Sequence, residues 1–180
     1  MPALPPLTDA QWPPELADLL KGFAGGLNVY RVMAHHPALV RAWTDLRNHI
    51  VTQNALTPTQ QEIVILRAGH RFGSAYEWAH HVVRGRAAGL SDERIAHARA
   101  AKDRLRDDNI DDLLMAAVDH LMDSGQLPIT LREKLMNQIG ANGVLDLMAT
   151  VGMYSTLAFI LKTFEVPIDA GIAEQAGALR

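Results

Sequence analysis

The amino-acid sequence predicts an all-α protein. Apolar residues recur every three or four positions along most of the chain, for example at Leu39, Trp43, Leu46 and Ile50. No segment alternates apolar and polar residues with period two, which is the pattern of a half-buried strand. Capping residues, glycine and proline separate the periodic segments at intervals that suit helices.

Length and composition favour one domain without a nucleic-acid or membrane partner. The chain has 180 residues, of which 48% are hydrophobic, and a net charge of -3 with Lys and Arg scattered. No apolar run reaches the roughly 18 residues of a membrane span, and no secretory signal opens the chain. We expect a cytoplasmic protein with an N-terminal segment over residues 1–27, one helical domain over 28–168 and a tail over 169–180.

The absence of cysteine removes several classes of chemistry. Disulfides, thiolate nucleophiles, Cys-ligated zinc and iron–sulfur clusters all need a thiol that this chain does not have. No two histidines have the His-x3-His spacing of a helical metal site, and the adjacent pair His80-His81 cannot easily bind one ion. We therefore expect neither a metal nor a cofactor.

The first third of the chain predicts an extended start followed by short helices. The proline-rich opening favours extended chain, and a short helix over Pro14 to Phe23 ends at two glycines. A second short helix is predicted over Asn28 to His35. Pro37 then opens a longer amphipathic helix over Ala38 to about Gln53.

The central third predicts a helical hairpin. Thr57 is a good N-cap with Gln60 in the capping-box position, so a buried helix should run from Thr57 to about Arg71. Gly73 can take the left-handed conformation that ends this helix, and Ser74 can cap the next one. That second helix should run from Ala75 to about Ala88 and end at Gly89.

The last third predicts four more helices. A charged, alanine-rich helix is expected over Asp92 to about Arg106, and an amphipathic one over Ile110 to Met122. A capping box at Thr130–Glu133 predicts a helix to about Ile139, followed by a turn between Gly140 and Gly143. The final helix, Val144 to about Phe164, is apolar nearly all round and should lie in a core or at a subunit interface.

Candidate chemical groups concentrate on the central hairpin. Ser74, Glu77 and His81 are spaced three and four residues apart, so they share one face of a helix. A carboxylate beside an imidazole is a common acid/base unit, because it fixes the tautomer and raises the basicity. Glu62, on the preceding helix, borders an apolar surface where a carboxylate needs a partner.

Structural interpretations of the same residues stay open. Ser74 and Glu77 can form a capping box, with Glu77 folding back onto the Ser74 amide rather than orienting His81. A single histidine within a helix is more often a packing residue than a catalytic one. His80 projects about 100° away from His81, so a packing or surface role is predicted for it.

The hairpin resembles the carboxymuconolactone decarboxylase and alkylhydroperoxidase D-like family. That family has the pattern Glu…Cys-x-x-Cys-x-x-x-His, followed by an alanine-rich turn and Gly-Leu-Ser-Asp-Glu. The matching residues are Glu62, Ser74 and Glu77 at the two cysteine positions, His81, and Ala87-Ala88-Gly89-Leu90-Ser91-Asp92-Glu93. The match is specific over about residues 57–95, and it places His81 rather than His80 in register.

The resemblance implies a bundle of helical hairpins that assembles into dimers, trimers or hexamers. Because both cysteines are absent, thiol peroxidase activity is not expected, and the chain looks like the decarboxylase branch. The implied activity is cofactor-free acid/base chemistry on a small anionic carbon acid or lactone, with His81, Glu77 and Glu62 catalytic. Substrate contacts are predicted for Ser74, Arg67 and Tyr154. The alternative is a non-catalytic helical oligomer that binds a small molecule on the same scaffold.

Overall fold

Helices build the chain, and no strand occurs among residues 4–106 and 108–179, the part that this computed structural model describes. The α-helices are α1 (Asn28–Met33), α2 (Pro37–Thr52), α3 (Pro58–Phe72), α4 (Ala75–Ala87), α5 (Asp92–His97), α6 (Ile110–Ser124), α7 (Ile129–Thr163) and α8 (Ile172–Ala176). Short 3₁₀ helices cover Asp9–Gln11, Pro14–Leu19, Lys102–Arg104 and Gly177–Leu179.

The hairpin α3–α4 forms the centre of the fold, and its helices begin and end at the predicted capping residues. Thr57 and Gln60 form the capping box at the start of α3, and Gly73 ends it with a left-handed φ of 61°. A side chain at Gly69 would place its Cβ 3.2 Å from the Cβ of Glu77, which is tighter than an ordinary contact. Glycine at this position therefore lets α3 and α4 approach closely.

Two apolar clusters surround α3, which packs against α4, α6 and α7. The larger cluster joins α3 and α4 to α6 and the first half of α7. The smaller one joins the N-terminal segment, α1 and α2 to the second half of α7. The N-terminal segment is thereby packed along one side of α4 and α7.

The long helix α7 is a core helix of this bundle. Its backbone breaks at Gly140, where φ is 69° and ψ is 178°, so the predicted turn is a kink within one long element. Its length and hydropathy alone would suit a membrane span, but 56% of the apolar window is buried inside the fold. Leu145 and Phe159 remain more than half exposed on its outer side.

Three helix boundaries differ from the predictions. The charged helix expected over Asp92 to Arg106 ends at His97, and only a short 3₁₀ turn follows. The helix expected to begin at a Thr130 cap begins at Ile129 behind Pro128, which makes no side-chain cap. The segment from Pro14 is a 3₁₀ helix with non-helical backbone at Leu16.

The tail is packed against α4. Arg86 Nη1 donates to the carbonyl of Gln175 at 2.8 Å, the indole of Trp78 donates to that of Leu179, and Ala176 is fully buried. Asp169 lies closer still to the centre of the molecule, because its carboxylate accepts from the backbone amide of Asn28 at 2.9 Å. Residues 169–179 therefore link the start of α1 to α4.

Candidate functional site

The antiparallel hairpin brings Glu62 on α3 against His81 on α4. His81 Nδ1 lies 2.7 Å from Glu62 Oε2, and only 6% of the imidazole and 13% of the carboxylate side chain are exposed. The hydrogen bond places the proton on Nδ1, which leaves Nε2 with its lone pair. Burial lowers the pKa of His81, although the Glu62 carboxylate opposes this, so the ring is neutral at pH 7.

Glu77 lies on the same face of α4 without a partner. Both carboxyl oxygens are buried and neither makes a hydrogen bond. Burial raises the pKa of Glu77 to about 8, an effect that the neighbouring Ser74 hydroxyl only partly offsets. The carboxyl group therefore carries a proton at neutral pH and can donate it.

The sequence left two roles open for Glu77, and the structure supports neither. The carboxyl group that holds His81 comes from Glu62 on the neighbouring helix, because α3 reaches the Nδ1 side of the ring. The Ser74 hydroxyl caps α4 by accepting from the Glu77 amide at 3.4 Å, but the Glu77 side chain does not return a bond to Ser74. Glu77 is neither the orienting group nor half of a capping box.

Arg67 is not placed to contact a substrate. Its guanidinium is 1% exposed and donates to Asp119 at 2.9 and 2.5 Å and to the carbonyls of Ala98 and Ala100. These bonds use its donors to join α3 to α6 and to the chain after α5. The prediction of a substrate contact from Arg67 is corrected for that reason: a buried, fully paired guanidinium holds the fold together.

Ser74 is likewise a structural residue. It is 3% exposed at the start of α4, where its hydroxyl serves as the N-cap. It faces a separate groove beside Trp78 and Arg99 rather than the space in front of His81. The predicted substrate contact therefore becomes a helix cap.

A narrow cavity lies in front of Glu77 and His81. Leu27, Val29 and Tyr30 form its wall on the N-terminal side, and Tyr154, Leu157 and Leu161 of α7 form the opposite wall. Tyr154, for which a substrate contact is predicted, packs edge-on against His81 with 5.1 Å between ring centres. The open volume is about 30 Å³, which admits roughly one water-sized group.

Arg84 is the cation of this site, and the sequence reasoning overlooked it. It lines the cavity and also an outward groove of about 350 Å³ that it shares with Glu62 and Tyr154. No hydrogen bond or ion pair engages its guanidinium within the described part of the chain. The signal was available, because Arg84 follows His81 by three residues and Glu77 by seven, on the same helical face.

His80, for which a packing or surface role is predicted, is buried and also lines this cavity. The ring is 5% exposed and stacks on Tyr76 with 4.3 Å between ring centres. Its Nε2 lies 3.0 Å from Asp169 Oδ2, close enough for an ion pair but not aligned for a hydrogen bond. No local pattern could reveal this contact, because Asp169 is 89 positions away in the sequence.

No metal-binding arrangement is present among residues 4–106 and 108–179: three His, Asp or Glu side chains do not converge anywhere in that part of the chain. The two histidines of the cavity instead each lie against one carboxylate, His81 against Glu62 and His80 against Asp169. The arrangement is suited to moving protons and to holding a small anion next to a buried acid and a buried base.

The comparisons agree with this fold and with the resemblance seen in the sequence. The sequence profile of the carboxymuconolactone decarboxylase family matches residues 37–119, which contain Glu62, Glu77 and His81. No curated protein sequence matches the chain.

Solved structures match over most of the chain at low identity. The debrominase Bmp8, solved also in complex with 2,3,4-tribromopyrrole, superposes with a TM-score of 0.75 at 12% identity, covering 99% of this chain and 97% of its own. A peroxidase-related protein of Silicibacter sp. has a TM-score of 0.75 at 13% identity, covering 99% and 94%. An Agrobacterium tumefaciens protein of unknown function, named as a candidate antioxidant defence protein AhpD, superposes with a TM-score of 0.65 at 19% identity. The match covers 76% of this chain and 94% of that protein. At these identities the likeness shows the fold alone.

Proposed function

We propose that this chain, whose residues 37–119 belong to the carboxymuconolactone decarboxylase family without the cysteine pair, is a cofactor-free acid/base enzyme for a small carboxylated carbon acid. One observation carries the proposal. A neutral imidazole held by Glu62 and a carboxyl group that keeps its proton to about pH 8 face one buried cavity. Pairs of groups whose pKa values are displaced in this way mark acid and base roles.

Arg84 supplies the anchor for the substrate. An unpaired guanidinium at the mouth of an apolar cavity attracts a carboxylate, which it can bind through two parallel hydrogen bonds. This reassigns the anion contact from Arg67, whose donors are occupied. The substrate class is accordingly a small mono- or dicarboxylate with an acidic carbon or with a carboxyl group β to a carbonyl.

The reaction follows from the protonation states. Loss of carbon dioxide breaks a carbon–carbon bond, and the electron pair moves into the neighbouring carbonyl as an enolate. Glu77 then protonates carbon, and its proton is replaced from solvent. Alternatively His81 Nε2 removes a proton from carbon directly. A well-placed acid or base of this kind contributes roughly 10²–10⁴ in rate.

Thiol chemistry is not part of the proposal. A chain without cysteine has no dithiol to reduce a peroxide, whatever activity other proteins of this fold have. Peroxide consumption should stop after the seven methionines are oxidised.

A specific observation favours the second candidate, a non-catalytic binding scaffold. The open volume of the cavity, about 30 Å³, leaves room for roughly one water-sized group rather than for a carboxylic acid with several carbons. A substrate therefore enters only if the wall formed by residues 27–30 moves, or if it approaches through the outward groove beside Arg84. A scaffold that holds its ligand in the outward groove, without bringing it to His81 Nε2, would need no movement of that wall.

A panel of small carboxylates tests the proposed function, with thermal shift to detect binding and carbon dioxide release or proton exchange to detect turnover. Arg84→Gln should abolish binding of the hits. Arg86→Gln is the matched control, because Arg86 lies on the same helix but is engaged with Asp92 and Gln175. Binding without turnover by any hit would favour the scaffold.

We further propose that the protein is a cytoplasmic homo-oligomer. Leu145 and Phe159 of α7 and Ile129 at its start are each about 60% exposed, which is unusual for large apolar side chains on one helix. Light scattering should show a species larger than a monomer at micromolar concentration. Phe159→Glu should shift it toward the monomer, whereas a monomer in the unsubstituted protein would contradict the proposal.

A further inference from the structure

A second histidine–carboxylate pair lies at the same cavity as His81. Asp169 accepts from the hydroxyl of Tyr76 and from the amide of Asn28, and it lies 3.0 Å from His80 Nε2. Burial acts to raise the pKa of Asp169, but the contacts from His80, Tyr76 and Asn28 outweigh it and lower the pKa. Asp169 is therefore charged and lies next to Nε2 of His80.

The two histidines face their carboxylates with different ring nitrogens. His81 is bound to its carboxylate through Nδ1, so its Nε2 is available to a substrate. His80 faces its carboxylate with Nε2, so its Nδ1 is available. Both rings line the same cavity, with Glu77 on the helical turn before them. One small molecule in this cavity can thus meet two imidazoles at different atoms.

Within residues 4–106 and 108–179, two other His–Asp contacts occur, and these differ from the His80 pair. His49 bonds Asp146 at 2.7 Å and His97 bonds Asp112 at 2.6 Å, each with a ring that is more than 40% exposed and outside the cavity. Only in the His80 pair is the ring buried, and there its Nε2 is not aligned for a hydrogen bond. A buried donor left unsatisfied costs about 1–3 kcal/mol, which a purely structural contact would avoid.

We propose that His80, positioned by Asp169, is a second proton-transfer group of this cavity, so that the site exchanges a proton between two atoms of one small 2-oxo or unsaturated carboxylic acid. The inference rests on the proposed function and narrows it to an isomerisation, with decarboxylation as a separate reaction of the same site.

The proton balance requires no further reactant. His81 Nε2 takes a proton from carbon, the C–H bond breaks, and the electron pair moves into the adjacent carbonyl. His80 in its protonated form gives a proton to the resulting enolate oxygen, and an O–H bond forms. His81 then carries one extra proton and His80 lacks one. Transfer through the Glu77 carboxyl group or through solvent restores the starting state, with no net oxidation.

Oxaloacetate is a suitable probe, because it undergoes both reactions. Its keto–enol conversion is followed by ultraviolet absorbance, and its decarboxylation by the pyruvate formed. The unsubstituted protein should accelerate both. His80→Asn should slow keto–enol conversion about tenfold or more, with decarboxylation changed less than about threefold. His49→Asn, the matched substitution in a His–Asp pair outside the cavity, should change neither rate.

The variant Asp169→Asn tests whether Asp169 positions His80 or only stabilises the fold. The amide is the same size and can still accept from Tyr76 or Asn28, so a cooperative melt should persist even if His80→Asn does not fold. Asp169→Asn should slow keto–enol conversion while changing decarboxylation little, as His80→Asn does. It should also alter the pH dependence of keto–enol conversion, which the loss of a purely structural contact would leave unchanged.

Equal rates of keto–enol conversion in the unsubstituted protein and the folded variants would overturn the inference while the proposed function stands. Equal loss of both reactions in a folded variant would also overturn it, because His80 would then have no separate role. If the unsubstituted protein accelerates neither reaction, both the inference and the proposed function fail for this class of acid.

Discussion

Two buried polar regions lie on opposite sides of the α3–α4 hairpin, and they differ in how well their hydrogen bonds are satisfied. On the α6 side, Arg67 and Arg71 are paired with Asp119, and Arg71 also binds Asp123. On the cavity side, the Glu77 oxygens and His80 Nε2 have no hydrogen-bond partner. A buried charge with its donors engaged stabilises the fold, whereas a buried group kept without a partner indicates a site for another molecule.

The largest expected effect comes from breaking the paired region. Arg67→Met leaves the Asp119 carboxylate buried with only Arg71, and it removes the bonds to the carbonyls of Ala98 and Ala100. The free energy of unfolding should fall by about 3–5 kcal/mol, measured by urea denaturation. A loss below 1 kcal/mol would mean that the Arg67–Asp119 pair contributes little to stability. The two regions would then not differ in the way stated above.

On the cavity side, substitution of His81 should lower the catalytic rate and leave the free energy of unfolding nearly unchanged. His81→Asn should lower kcat by roughly 10²-fold or more on any substrate found, with a melting temperature within a few degrees of that of the unsubstituted protein. His97→Asn is the control, because His97 is paired with Asp112 away from the cavity. A comparable loss of kcat in both variants would show that the effect is not specific to the site.

The raised pKa of Glu77 should make the stability of the protein depend on pH. The unfolded chain releases this proton near 4.5 and the folded chain near 8, so the folded state binds more protons between these values. Stability should therefore fall by up to a few kcal/mol as pH rises from 4.5 to 8, and then level off. Urea denaturation at pH 5, 6.5 and 8 should show this slope in the unsubstituted protein. A Glu77→Gln variant with an unchanged slope would refute the assignment.

Access to the cavity gives the smallest expected effect. Because the cavity holds about one water-sized group, residues 27–30 should exchange amide hydrogens faster than α3, and a bound carboxylate should slow that exchange severalfold. The amides of α3 serve as the internal control. Equal protection in both regions, with or without ligand, would support access through the groove beside Arg84.

Local chemistry explains the predictions that hold. The Thr57–Gln60 capping box, the left-handed Gly73 and the Ser74 cap each depend on residues within three or four positions, so they can be predicted from short patterns. The predictions for the helix after Asp92 failed because a distant side chain competes: Arg67 binds the carbonyls of Ala98 and Ala100.

The sequence by itself determined the helical fold, the central hairpin and the candidate residues Glu62, Glu77 and His81, because apolar periodicity and capping are encoded within each helix. Only the tertiary structure decided their partners. Glu62 rather than Glu77 holds His81, Arg84 rather than Arg67 faces the cavity, and Asp169 reaches His80 across 89 positions of sequence. Burial and pairing are properties of the packed helices, and they set the protonation state and hence the role of each group.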